Sequence, residues 1–125
     1  TVRNTNMLMW HKELWLIDHG ATLYFHHSWT NHEKQALTPF SLIKDHVLLP
    51  FADQLEVVDS ECKSILTDEI IRDIVNLIPD EWAGTLEAGE TTESVREVYY
   101  QFLTSRIHNS DIFLNEAQNA RKTLI

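Results

Sequence analysis

Two short apolar runs, Met7 to Trp10 and Leu14 to Ile17, are separated by only three polar residues, His11-Lys12-Glu13. No other stretch narrows the possible folds of this chain as much. Apolar runs of this length around a tight polar loop read as a β-hairpin. A hairpin brings its two ends together. The polar residues that flank the runs, Asn4 and Asn6 before them and Asp18 of Asp18-His19-Gly20 after them, therefore face a common point. An amide oxygen and a carboxylate converging there are hard oxygen ligands of the kind Mg²⁺ prefers.

The other 100 or so residues limit what such a hairpin can belong to. At 125 residues the chain is one domain or a piece of one. Its hydrophobic fraction of 43% and its four Trp are enough for a real core and argue against disorder. No apolar run approaches the roughly 20 residues that span a bilayer, and no secretory signal pattern is visible. With 19 acids against 10 bases, the net charge of −9 lacks the basic face a non-specific nucleic-acid binder needs. The single Cys62 cannot form an internal disulfide, which suits a reducing cytoplasm and an ordinary small-residue role. The chain opens on Thr1-Val2-Arg3-Asn4 without a Met, which reads as a fragment or a processed product.

Beyond the hairpin the pattern turns helical. Leu23-Tyr24-Phe25 is too short to assign, and Thr30 to Thr38 reads as a polar loop. Pro39 and Pro50 bracket a short helix over Phe40 to Leu49, followed by a helical stretch from Phe51 to Val58. Thr67 is a natural N-cap, with Asp68 and Glu69 favourably placed in the first turn and Ile70, Ile71, Ile74, Val75 and Ile78 at helical spacing up to Pro79. Pro79 to Trp82 suggests one further turn, and Leu86 to Thr91 an acidic loop. Thr92 opens the best helix, whose stripe is Val95, Val98, Tyr99, Phe102, Leu103 and Ile107. Ser110 is placed to cap a last helix that ends with Arg121 and Lys122. The expected fold is α+β and mostly helical, an N-terminal hairpin (1–20) followed by four to six helices (helical part 39–125), in a single partial domain.

The order Asn, strand, turn, strand, Asp-x-Gly from Asn4 to Gly20 is also the order in which protein kinases hold two Mg²⁺, with a catalytic-loop Asn and the Asp of D-F-G on either side of a small hairpin. The wording goes further. Thr1-Val2-Arg3-Asn4-Thr5-Asn6, Trp10-His11, Leu14 to Ala21, Leu23 to His27, Ile43 to Pro50 and Ile78 to Trp82 together resemble the HipA-like kinase family. The resemblance is strongest from Thr1 to Pro50 and is only a pattern of helices after Gly84. It implies the distal part of a kinase-like C-terminal lobe. It implies that Asn4 and Asp18 are the metal and nucleotide ligands, with Asn6 as the fallback because it sits directly against the strand, and that His19 stands where many kinases carry Phe. In that family the catalytic Asp lies just before a Thr-x-Arg-Asn, so no catalytic residue is assigned in this chain. The intact parent would use Mg²⁺ and ATP to phosphorylate a Ser/Thr hydroxyl of a protein. The chain alone is expected to be inactive, to hold no cofactor tightly, and to partner either a missing N-terminal part, a partner protein, or a second copy through exposed apolar surface.

Each residue singled out also has a plainer reading. Asp18 can be a hairpin-end Asp that caps a turn, and Asn4 and Asn6 can be ordinary turn Asn. His19, His26, His27 and His32 cluster, but adjacent His on a strand point to opposite faces and no Cys lies near. The group reads as a polar, partly buried loop beside the hairpin rather than a zinc set. Trp10, Trp15, Trp29 and Trp82 are expected in core and satellite packing rather than as a base-stacking platform. The competing class is a non-catalytic helical interaction module on a degenerate kinase-like scaffold.

Overall fold

The computed structural model describes residues 6–19, 22–23, 25, 31–83 and 90–124. The fold is α+β and mostly helical, with one antiparallel hairpin followed by five helices. Strand β1 (Met7–Trp10) pairs with β2 (Glu13–Leu16) in the register Met7–Leu16, Leu8–Trp15, Met9–Leu14 and Trp10–Glu13. Glu13 thus belongs to the strand rather than to the loop, and the turn has two residues. His11 and Lys12 both adopt positive φ, 50° and 69°. Two successive left-handed residues give the turn the twist that matches a right-handed strand pair, and that geometry favours the shorter loop.

The helical body starts earlier than the sequence pattern implied. His32–Ala36 forms α1, where a loop was expected, because Ala36 is buried in the core and the helix packs on the long helix α4 (Thr92–His108). Tertiary packing overrides the weak local preference of this polar stretch. Between the prolines the chain makes 3-10 turns at Ser41–Asp45 and Leu49–Phe51 instead of one helix. Helix α2 (Leu55–Ile65) begins later and runs further than the expected Phe51 to Val58. Helix α3 (Asp68–Asn76) follows the reading closely: Thr67 Oγ1 accepts a hydrogen bond from the Ile70 N–H at 3.3 Å. A 3-10 turn at Asp80–Ala83 comes after Pro79. Helix α4 opens on a capping box in which Thr91 and Ser94 satisfy each other's backbone N–H groups.

The core lies where α3 and α1 meet α4. It consists of Phe25, Ala36, Ile71, Val75, Val95, Tyr99 and Phe102, with Val98, Leu103 and Ile107 of the expected stripe packed against it. Phe25 is the hub, its ring 4.6 Å from Phe102 and 5.6 Å from Tyr99. Arg96 ties α4 to the end of α3 by donating to the Ile78 carbonyl at 2.6 and 3.1 Å and pairing with Asp80.

Helix α5 (Asp111–Lys122) carries Arg121 and Lys122 in its last turn, as expected. Its N-cap differs. Ser110 makes no side-chain cap; its buried hydroxyl donates to Asp59 of α2. Ser110 lies in the right-handed helical region (φ −62°, ψ −22°) rather than the extended conformation from which an N-cap side chain accepts from the first-turn N–H groups. The tryptophans also depart from expectation. Trp10, Trp15 and Trp82 are 57%, 51% and 72% exposed, so none is core; Trp29 lies outside the described residues. For Trp10 and Trp15 the reason is that no strand residue is buried on either face of the hairpin. Trp82 lies in the exposed 3-10 turn after Pro79.

Candidate functional site

The hairpin closes at its mouth as the sequence required. The Ile17 N–H donates to the Asn6 carbonyl at 2.8 Å, and Asn6 Nδ2 donates to the Asp18 backbone carbonyl at 3.1 Å. Both residues sit at positive φ, 49° for Asn6 and 56° for Asp18. Asn and Asp tolerate this region better than other non-glycine residues. The structure thus brings Asn6 and Asp18 together. Asn4, the residue preferred by the resemblance, lies outside the described residues, as does Gly20. His19 turns back onto the hairpin, with Nε2 3.2 Å from the Leu16 carbonyl. His26 and His27 are outside the described residues, while His32 opens α1 with its ring 6.1 Å from Phe25.

Asn6 and Asp18 form the hairpin side of a cleft of about 550 Å³, whose helical side includes Gln35, Thr38, Phe102 and Arg106. The Asp18 carboxylate is exposed and makes no hydrogen bond or ion pair among the described residues. The contact that joins the two residues uses the Asn6 amide nitrogen and the Asp18 backbone carbonyl. A Mg²⁺ ion typically takes only one or two protein carboxylates and completes its shell with water and phosphate oxygens, so Asp18 is the carboxylate such an ion would use here. No group of three or more His, Cys, Asp or Glu close enough for a metal occurs among the described residues.

Arg106 is the site residue that sequence reading passed over. It falls between stripe positions near the end of α4, where a cation is unremarkable because it complements the helix dipole. Only the fold shows that it reaches back 70 residues to the Ala36 carbonyl. No family model, no characterised protein and no solved structure matches this chain. No helix among the described residues is long and apolar enough to cross a membrane.

Proposed function

We propose that this chain carries the cation- and nucleotide-facing hairpin of an ATP-dependent, HipA-like phosphotransferase, whose intact form phosphorylates a protein Ser/Thr hydroxyl in a reducing cytoplasm. The observation that carries the reading is the convergence of Asn6 and Asp18 at the mouth of the hairpin, on the rim of a cleft large enough for a small ligand. Asp18 and Asn4, or Asn6 in its place, would hold Mg²⁺. The ion would neutralise charge on the phosphate oxygens during transfer. The chain by itself is expected to show no turnover, because the resemblance matches no catalytic Asp and no nucleotide-covering loop within it. Mn²⁺, a paramagnetic substitute for Mg²⁺, tests the clamp. In titrations followed by NMR, the amides of Asn6 and Asp18 should broaden first, with weak affinity, and Asp18→Ala should remove the effect. Asn4→Ala and Asn6→Ala, compared side by side, identify the second ligand. Broadening that spares the hairpin mouth sinks the proposal.

One observation favours a second reading, a non-catalytic interaction module. Met9, Leu14 and Leu16 lie on one face of the hairpin and Leu8, Trp10 and Trp15 on the other, all largely exposed. Strands apolar on both faces are characteristic of sheets covered on both sides, and contiguous exposed apolar surface marks an interaction site. On this reading the hairpin joins a second copy or a partner protein. The double substitution Trp10→Ser, Trp15→Ser should change stability by no more than about 0.5 kcal/mol, since neither ring is buried. It should also shift sedimentation toward monomer. A wild-type chain that already sediments as a clean monomer removes the self-association half of this reading.

A further inference from the structure

A second cavity lies under α2; it shares Phe40 and Arg106 with the first but includes neither Asn6 nor Asp18. It is an apolar groove of about 490 Å³, walled by Leu55 and Val58 of α2, Ile107 of α4, Phe113 and Leu114 of α5, and Phe40. Although α2 is eleven residues long, none of them is buried. Polar contacts tie it to α5: the Ser110 hydroxyl donates to Asp59, and Gln118 Nε2 donates to Glu56 at 2.8 Å. The apolar side of α2 therefore lines a solvent-open groove rather than a packed neighbour, and an apolar group seated there would remove that surface from water.

Arg106 stands in the wall of this groove. Its Nη1 donates to the Ala36 carbonyl at 3.1 Å and the Thr38 carbonyl at 3.4 Å, and its guanidinium lies 4.6 Å from the centre of the Phe113 ring. It has no carboxylate partner among the described residues, and its Nε and Nη2 make no hydrogen bond among them. Burial pulls its pKa below the usual arginine range, as expected for a cation without a counter-ion. A guanidinium fixed by two carbonyls and a ring, with donors to spare, is preorganised to take an anion in bidentate fashion. The other two charges of the groove cancel: Lys63 pairs with Asp59 at 2.9 Å, and the Ser110 hydroxyl also donates to that carboxylate, so Arg106 is the one charge left uncompensated among the residues that line it.

We propose that the groove binds a small amphiphilic carboxylate, with the carboxylate on Arg106 and the apolar body between α2 and α5. One guanidinium matches one monoanion. A phosphate dianion would leave uncompensated charge beside apolar walls, which is strongly disfavoured.

Octanoate is a suitable probe, followed by calorimetry and by amide NMR on the whole chain. Saturable one-to-one binding is expected, with shifts centred on Val58, Phe113 and Leu114. Octan-1-ol and octyltrimethylammonium should bind about tenfold more weakly or worse. Arg106→Gln should reduce octanoate affinity by a similar factor and leave octanol unchanged. Because Arg106 also holds two backbone carbonyls, Val58→Trp provides a second variant that fills the groove and keeps the arginine; it should abolish binding of octanoate and octanol alike. Asp18→Ala should leave octanoate binding unchanged, which separates this site from the cation clamp. Octanol binding as tightly as octanoate, shifts confined to the hairpin, undiminished binding to Val58→Trp, or no saturable binding would each overturn the proposal.

Discussion

Phe25→Ala should destabilise the protein by about 3–5 kcal/mol, the range for removing a large aromatic ring from a packed core. Phe25 has no solvent exposure at all and packs against two of the three aromatic residues of α4, Tyr99 and Phe102. Domains of this kind are stable by only about 5–15 kcal/mol in total, so the loss is a large share of the whole. Urea unfolding followed by circular dichroism would show it as a lower midpoint with an unchanged slope. A loss below about 1 kcal/mol would mean that the core closes without this ring. The contrast with the exposed hairpin tryptophans is the sharper test. Two larger side chains should cost almost nothing to truncate, while one smaller ring should be close to essential.

Ser110→Ala should lower stability at neutral pH by about 2 kcal/mol, the range for a hydrogen bond to a charged group. The hydroxyl is buried, and the Asp59 carboxylate it serves is 17% exposed. The same bond gives the effect a pH signature. The Ser110 hydroxyl, and after it Lys63, hold the Asp59 carboxyl below its ordinary value of 3.8, with burial opposing them. A carboxyl whose folded pKa is depressed contributes stability that is fully present above its unfolded pKa. That contribution disappears as pH falls through the lower folded value. The difference between wild type and Ser110→Ala should therefore be constant from neutrality down to about pH 4 and shrink in more acidic solution. Glu97, held low chiefly by Arg72, adds acid sensitivity in the same direction to both proteins and so cancels in the comparison. A difference that grows on acidification would refute the assignment.

The parts of this fold legible in the sequence are those dictated by local chemistry. The cap at Thr67, the period of the Ile71 and Val75 face, the stripe from Val95 to Ile107 and the paired apolar runs of the hairpin each depend on residues within a few positions of one another. Helix α1 was not legible because its cause is distant: Ala36 is helical where it packs on α4, and the intervening sequence gives no sign of that contact. The exposure of Trp10 and Trp15 was hidden for the opposite reason. Large apolar side chains normally signal a core, and nothing local says that a strand pair will project away from one. At the candidate site, the meeting of Asn6 with Asp18 follows from hairpin closure alone. Arg106 joins them only through the tertiary path from α4 to the end of α1.

The two left-handed residues at the tip of the hairpin, His11 and Lys12, bear on how it moves. Neither is a glycine, so each holds its φ at a cost in backbone energy. No strand residue is buried to offset that cost. A hairpin held by its own short-range pairing forms in about 1–10 μs, whereas the core that joins Phe25 to α4 spans more than 70 residues of chain and must close slower loops. The ribbon therefore opens and closes on its own clock, and amide exchange along β1 and β2 reports that clock rather than the global stability of the helices.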